Sequence, residues 1–172
     1  IEAKLVKRDE EMIFPFVNFI KKIGEFKPDV ILLTTPNNPT GKPIKNEEII
    51  KIINSVSKDT IILIDRSCLN ILSEISTKEL LTNFKNKKII ILHSFSKSHS
   101  LSDERLGYLA TNCKEIAKFL FNKRDLNHNI NAVKKLLKVL DDKKILKQKR
   151  ETIKECNSLL KEYFKKKETR YF

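Results

Sequence analysis

The stretch ILHSFSKSHSLSDERLGY, residues 91–108, begins as an apolar run and continues with hydroxyls and two cations, Lys97 and Arg105. A lysine amine can condense with a carbonyl compound to form a Schiff base. The hydroxyls of Ser94 and Ser96, together with an arginine guanidinium, can bind a phosphate group. Taken singly, each cation is typical of a solvated surface, and only a shared position in the fold would give the two of them a chemical role.

Two further polar residues follow apolar runs in the same way. Asp65 ends IILID (61–65), and a carboxylate after four aliphatic residues is costly to bury unless a cation meets it. The alternative role for Asp65 is the N-cap of a helix over RSCLNILSE (66–74). Asn38 lies in TTPNNPTGKP (34–43), which holds three of the five prolines and predicts a stiff turn after a strand. A plain strand-to-helix loop is the alternative there.

Together these groups match one cofactor. Open α/β sheets bind their ligands at the carboxyl ends of their strands, where all of these residues fall. Hydroxyls and an arginine suit a phosphate, a carboxylate suits a cationic ring nitrogen, and a lysine suits an aldehyde. Pyridoxal 5′-phosphate carries all of these groups, so the sequence predicts it as the cofactor. No cysteines have the spacing of a metal site, and no metal is predicted.

The elements that must position these residues are those of an α/β sheet, because apolar runs rich in isoleucine recur between helical segments. The predicted strands are VILLTT (30–35), IILID (61–65), IIILHS (89–94) and LGYLAT (106–111), with IEAKLV (1–6) as a candidate fifth. The predicted helices are 45–58, 76–84 with Ser76 or Thr77 as the N-cap, 113–121, 130–140 and a basic segment over 142–167.

Composition excludes several classes of function. A chain of 172 residues with a net charge of +13 carries 29 lysines and 6 arginines. Because this charge is dilute and mostly lysine, it is typical of a solvated surface, and no nucleic-acid partner is predicted. No apolar run reaches the roughly 18 residues of a membrane span, so no membrane association is predicted. The three cysteines, Cys68, Cys113 and Cys156, lie far apart and predict reduced thiols in a cytoplasmic protein.

On these motifs the chain resembles the fold-type I pyridoxal-phosphate enzymes, specifically the class I and II aminotransferases and most nearly their histidinol-phosphate aminotransferase branch. NNPTG (37–41) is similar to the family's N-P-x-G turn, IDRSC (64–68) to its D-x-A-Y, and SFSKSHSLSDERLGY (94–108) to its S-x-[SA]-K followed by R-x-G. The resemblance implies a three-layer α/β sandwich with a mostly parallel sheet flanked by helices, in which LGYLAT runs antiparallel. It also implies transfer of an amino group between an amino acid or amino-alcohol phosphate and a 2-oxo acid.

The same resemblance implies a role for each residue. Lys97 would hold the cofactor as an internal aldimine and then shuttle a proton between the substrate Cα and the cofactor's C4′. Asp65 would pair with the pyridine nitrogen and keep it protonated, which makes these two the catalytic residues. Asn38 would donate to the phenolic oxygen, and Ser94 and Arg105 would bind the phosphate.

The chain departs from the family in two ways. Cys68 takes the place of the family's tyrosine in the cofactor site, and the loss of that phenol removes a hydrogen bond to the cofactor oxygen. The chain also corresponds to only about half of a family member. We therefore expect the central part of a longer enzyme, with residues 1–125 in the large domain and 126–172 leading into the small domain. A truncated relative is the alternative.

The resemblance implies further features of the assembly and the turn. The Asn38–Pro39 bond is expected to be cis, and NKRDLNHNINAVKK (122–135) is expected to reach toward the neighbouring subunit of a homodimer. The expected partners are a small-molecule amino donor and a 2-oxo acid acceptor. Two alternatives stay open: a decarboxylase or lyase of the same fold, similar to threonine-phosphate decarboxylase, and a remnant that has lost catalysis.

Overall fold

A computed structural model describes residues 2–8, 10–68, 76–123, 129–140 and 142–167. Its elements, in chain order, are α1 (Phe16–Phe26), β1 (Val30–Thr34), α2 (Asn46–Ser55), β2 (Ile61–Asp65), α3 (Thr77–Asn83), β3 (Lys88–Ser94), α4 (Phe95–Ser98), β4 (Gly107–Thr111), α5 (Lys114–Lys123), α6 (Ile130–Leu140) and α7 (Lys143–Lys166). The predicted α/β class, with a mostly parallel sheet flanked by helices, is confirmed.

The chain divides into two compact units. The described residues of the first unit are 2–8, 10–66, 76–92 and 109–123, and those of the second are 67–68, 93–108, 129–140 and 142–167. The first unit contains α1 to α3, α5 and most of the sheet. The second contains α4, α6 and α7. The predicted division into residues 1–125 and 126–172 concerns domains of a longer enzyme and stays a prediction.

The four strands form one sheet in the order β1-β2-β3-β4. β1 and β2 are parallel, with Thr34 opposite Asp65, and β2 and β3 are parallel as well. β4 is antiparallel to β3, since the hydroxyl of Thr111 donates to the carbonyl of Ile89 whereas the Phe95 amide donates to the Leu106 carbonyl at the other end. The antiparallel direction predicted for LGYLAT is therefore confirmed, and the carboxyl ends of β1, β2 and β3 point the same way.

Aliphatic side chains hold the first unit together. Residues 31, 62 and 89 are in register on adjacent strands, so their side chains form a row on one face of the sheet. Helices α1, α2 and α3 pack on that face. The buried cluster consists of Ile23, Ile31, Leu33, Ile44, Ile49, Ile52, Ile53, Val56, Ile62, Ile64, Leu80, Ile89 and Ile91. Removal of this much aliphatic surface from water is what stabilises the unit.

Local signals explain where two of the helices begin. The Ser76 hydroxyl accepts from the Glu79 amide at 3.1 Å, and the Glu79 carboxylate accepts from the Ser76 amide at 2.8 Å. This reciprocal capping box confirms Ser76 as the N-cap of α3, and its hydrogen bonds lower the pKa of Glu79. Asp142 caps α7 by accepting from the Lys144 amide at 2.9 Å.

Two sequence expectations differ from the structure. The candidate strand IEAKLV is wrong, because residues 2–6 form no strand and Leu5 is 89% exposed, with no neighbouring strand to pair with among the described residues. Helix α1 was not predicted from the sequence, although its Ile23 packs into the core. Most of RSCLNILSE and part of NKRDLNHNINAVKK lie outside the described residues. Within the described ranges, no helix has both the length and the apolarity to cross a membrane.

Candidate active site

The turn after β1 is closed by its own hydrogen bonds. The Gly41 amide donates to the Asn37 carbonyl at 2.7 Å, and the Asn37 side-chain amide donates to the Thr40 hydroxyl at 3.2 Å. Gly41 has φ +66, a left-handed backbone that favours glycine. The Asn38–Pro39 bond is cis, as predicted. Asn38 therefore lies exposed on a turn whose shape is set from within.

Asp65 lies beside the start of the same turn. The Thr35 amide donates to the Asp65 carbonyl at 3.0 Å, which extends the β1–β2 pairing by one residue. The Asp65 side chain is half-buried. The first unit thus places Asp65 and the Asn38 turn at the carboxyl ends of adjacent parallel strands, as the sequence predicts.

Lys97 lies in α4, a single turn of helix that follows β3 directly. Ser94 caps this turn, since its hydroxyl accepts from the Ser96 amide at 3.2 Å. The Lys97 side chain is exposed, and its Nζ donates to the Sγ of Cys68 at 3.3 Å. The second unit thus brings together Lys97 and Cys68, two predicted site residues that are 29 positions apart.

A buried pair beneath Lys97 was not singled out from the sequence. Ser98 and His99 are 2% and 6% exposed. The Ser98 hydroxyl donates to the Ser94 carbonyl at 3.1 Å and lies 2.7 Å from Nδ1 of His99. Because a hydroxyl has one proton to donate, its donation to the Ser94 carbonyl assigns the proton of the neutral imidazole to Nδ1 of His99, from which Ser98 then accepts. Burial lowers the pKa of His99, and the nearby Lys149 ammonium lowers it further.

The spacing of this pair offered a signal. Phe95 is the apolar residue of α4, and residues three and four positions after it fall on the same face of a helix. Ser98 and His99 occupy those positions, and the His99 and Phe95 rings form a T-shaped pair with a centroid distance of 5.4 Å. Polar side chains on the buried face of a short helix predict hydrogen bonding among themselves.

Arg105 follows in a turn between α4 and β4. Its φ is +51, a left-handed conformation unusual for arginine, and its side chain is exposed. Two residues later, a Cβ added to Gly107 would meet the His93 carbonyl at 2.6 Å. Glycine lets β4 approach β3 at this point, so Arg105 and Ser94 lie at the same end of the β3–β4 pair.

The six predicted residues therefore fall into two groups. Asn38 and Asp65 lie at strand ends in the first unit. Cys68, Ser94, Lys97 and Arg105 lie in the second unit, around α4 and the turn that follows it. No group of three or more histidine, cysteine or carboxylate side chains that could hold a metal ion occurs in the described parts of either unit.

Comparisons with known proteins give a consistent result. The sequence matches the family described as aminotransferase class I and II over residues 6–172. The histidinol-phosphate aminotransferase of Thermoanaerobacter pseudethanolicus is 32% identical over 162 residues, which are 93% of this chain and 44% of that protein.

Two solved structures share the fold. The histidinol-phosphate aminotransferase from Clostridium acetobutylicum has a TM-score of 0.72 and 26% identity, over 83% of this chain and 42% of that one. The histidinol-phosphate aminotransferase from Sinorhizobium meliloti, solved in complex with pyridoxal 5′-phosphate, has a TM-score of 0.68 and 20% identity, over 83% of this chain and 39% of that one. At 20% identity the second likeness concerns the fold alone. The chain spans less than half the length of each of these three proteins.

Proposed function

Because the chain belongs to the class I and II aminotransferase family, we propose that the protein is a pyridoxal-phosphate-dependent aminotransferase. It moves an amino group between an amino acid or amino-alcohol phosphate and a 2-oxo acid. The observation that carries the proposal is the exposed Lys97 amine, directly after β3, with the Cys68 thiol 3.3 Å away. A site of this kind needs one reachable amine, and the exposed Lys97 in the capped turn of α4 supplies it.

The residues of the chain fit this cofactor. When bound, pyridoxal phosphate supplies an aldehyde that condenses with amines and a protonated ring that accepts electrons. By the resemblance, Lys97 Nζ would hold the cofactor at its aldehyde carbon and would carry the proton that is moved. The Asp65 carboxylate would hold the proton on the ring nitrogen, and Asn38 would donate a hydrogen bond to the phenolic oxygen. Ser94 and Arg105, at the same end of the β3–β4 pair, would bind the phosphate dianion.

Cys68 has a role that differs from the family pattern. The Cys68 thiol accepts a hydrogen bond from the Lys97 amine. Because a thiol is a weaker hydrogen-bonding group than a phenol, we expect Cys68 to replace only weakly the hydrogen bond that the family tyrosine makes to the cofactor oxygen.

The assembly and substrates are part of the proposal. The relatives named as histidinol-phosphate aminotransferases support an amino-alcohol phosphate as the amino donor. A homodimer and a cytoplasmic location follow from the resemblance and from the cysteine usage, and both stay predictions. By the resemblance, a decarboxylase of the same fold shares the family's cofactor residues, so these residues do not separate the two reactions.

Reductive trapping tests the cofactor site. Pyridoxal phosphate is added to the purified protein, where the Lys97 amine condenses with the aldehyde and releases water. Borohydride then supplies the hydride that reduces the C=N bond, and the modified peptide is identified by mass spectrometry. We expect phosphopyridoxyl label on Lys97 and its loss in Lys97→Ala. The control Lys118→Ala removes another exposed lysine, on α5, and should leave the label in place.

The outcomes separate the alternatives. Label scattered over surface lysines, with Lys97 no more reactive than Lys118, would contradict the proposal and favour a remnant without the cofactor site. If Lys97 is labelled, the loaded protein is offered histidinol phosphate or threonine phosphate with a 2-oxo acid. Transfer of the amino group to the 2-oxo acid supports the aminotransferase, and release of carbon dioxide supports the decarboxylase.

A further inference from the structure

Lys149 of α7 reaches the backbone of the residue that carries the proposed chemistry. Its Nζ donates to the carbonyl oxygen of Lys97 at 3.3 Å and to the hydroxyl of Ser100 at 2.5 Å. All three residues belong to the second unit. Lys149 is 52 positions from Lys97 in the sequence, so only the packing of the unit brings them together.

The surroundings of Lys149 distinguish it from an ordinary surface lysine. Its side chain is partly buried, and burial lowers the pKa of the ammonium. An ammonium that is partly shielded from water gains from hydrogen-bond acceptors that replace part of its hydration. Its acceptors among the described contacts are the Lys97 carbonyl and the Ser100 hydroxyl, which are neutral groups within α4 and just after it.

The two acceptors belong to residues whose backbone the helix itself does not stabilise. The carbonyls in the last turn of a helix have no partner within the helix, and a lysine can satisfy them while its charge offsets the negative end of the helix. The Lys97 carbonyl lies in that position, near the end of α4. Ser100, three residues on, has φ +56, a left-handed backbone that is costly for a residue with a side chain. One ammonium thus bridges an orphan carbonyl and a strained residue.

Lys149 also affects the buried pair formed by Ser98 and His99. His99 lies between the two residues that Lys149 holds, and the Lys149 charge favours its neutral form. Neutral His99 shares its Nδ1 proton with Ser98, which in turn donates to the Ser94 carbonyl. Lys149 therefore stabilises the carboxyl end of α4, and the Ser98–His99 pair stabilises its buried side.

We propose that Lys149 is a positioning residue for Lys97: by holding the Lys97 carbonyl and the Ser100 hydroxyl, it keeps the Lys97 amine directed toward the cofactor. This role rests on the proposed function of Lys97. It assigns to α7 a part in the chemistry that none of the sequence motifs indicated.

The test compares three variants of the purified protein. Lys149→Met removes the charge and the donor, Lys149→Arg keeps both, and Lys147→Met removes an exposed lysine from the same helix as the matched control. Two quantities are measured for each. The first is the hydrogen-exchange rate of the amides of residues 97–101 without cofactor, and the second is the rate of reductive trapping of pyridoxal phosphate on Lys97 relative to other lysines.

We expect Lys149→Met alone to speed amide exchange in residues 97–101 and to slow trapping on Lys97 by roughly tenfold, since small misplacements of a reacting group cost one to two orders of magnitude in rate. Lys149→Arg should recover most of both losses. Thermal unfolding of all three variants shows whether the whole fold has been weakened, which a positioning role does not require.

Two results would overturn the proposal for Lys149, and a third would overturn the proposed function on which it rests. Unchanged exchange and unchanged trapping in Lys149→Met overturn it, and so does faster exchange with unchanged trapping, since Lys149 would then only stabilise the turn. If the unmutated protein shows no preference for Lys97, the proposed function fails instead. In that case only the hydrogen-exchange measurement tests Lys149. Unchanged exchange in Lys149→Met would then show that Lys149 does not hold the Lys97 backbone.

Discussion

The aliphatic core of the first unit and the lysine segment of the second, defined here as residues 94–105, are built in opposite ways. In the core, every buried position is an isoleucine, leucine or valine, and the contacts have no preferred direction. In the lysine segment, Ser98 and His99 are buried beside Phe95 and Leu101, and two non-glycine residues, Ser100 and Arg105, are left-handed.

This difference separates stability from chemistry. Burial of aliphatic surface contributes most to the free energy of unfolding, whereas hydrogen bonds with defined donors and acceptors set the direction of a particular side chain. Changes in the core should therefore alter the free energy of unfolding, and changes at Lys97 should alter reactivity with little effect on that free energy. The following substitutions test this separation.

The largest effect is expected at Ile62, which is fully buried in β2. Ile62→Ala should lower the free energy of unfolding by about 2–5 kcal/mol, because it removes apolar contacts and leaves a cavity. Lys97→Ala, at an exposed position, should change it by no more than about 0.5 kcal/mol. Urea unfolding of the two variants measures both. A loss of several kcal/mol in Lys97→Ala would show that the lysine segment also carries the stability of the fold.

A second comparison uses two glycines. Gly107→Ala should destabilise the protein by about 1–3 kcal/mol, since the new Cβ would lie 2.6 Å from the backbone carbonyl of His93. Gly24→Ala, in the interior of α1 with open space around it, should stabilise the protein by about 0.5–1 kcal/mol. Thermal unfolding gives the sign of each. A tolerated alanine at position 107 would mean that β4 does not need its close approach to β3.

The smallest effect concerns the pH dependence contributed by His99. Burial and Lys149 lower the pKa of His99 below the ordinary histidine value of about 6.5, so the unfolded chain binds a proton more readily than the folded one. The free energy of unfolding should therefore fall as the pH drops below about 6.5. His99→Gln, which does not titrate, should show a weaker fall between pH 7 and pH 5. Equal slopes for the two proteins would mean that His99 remains hydrated enough to titrate normally.

Much of the fold could be predicted from the sequence, because its signals are local. All four observed strands were predicted, with bounds that differ from the structure by one residue at most, and Ser76 was among the two expected caps of α3. Apolar runs and capping residues influence only nearby residues in the sequence, so they can be recognised before the fold is known. Helix α1 was missed, although its apolar spacing is helical.

Apolarity alone could not tell which face of β1 is covered. Val30 and Leu32 are as apolar as Ile31 and Leu33, yet they are 55% and 61% exposed. The difference arises because α1, α2 and α3 pack on the other face. Their placement depends on the register and direction of the strands, which single positions in β1 do not encode.

The sequence by itself determined the types of residue available for chemistry and their positions at strand ends, because a lysine, an aspartate or an asparagine after an apolar run can be recognised in isolation. It did not determine which groups meet. The contact of Cys68 with Lys97 and the reach of Lys149 to the Lys97 backbone join residues 29 and 52 positions apart. Only the tertiary structure decided those contacts, because a hydrogen bond depends on where the folded backbone brings its donor and acceptor.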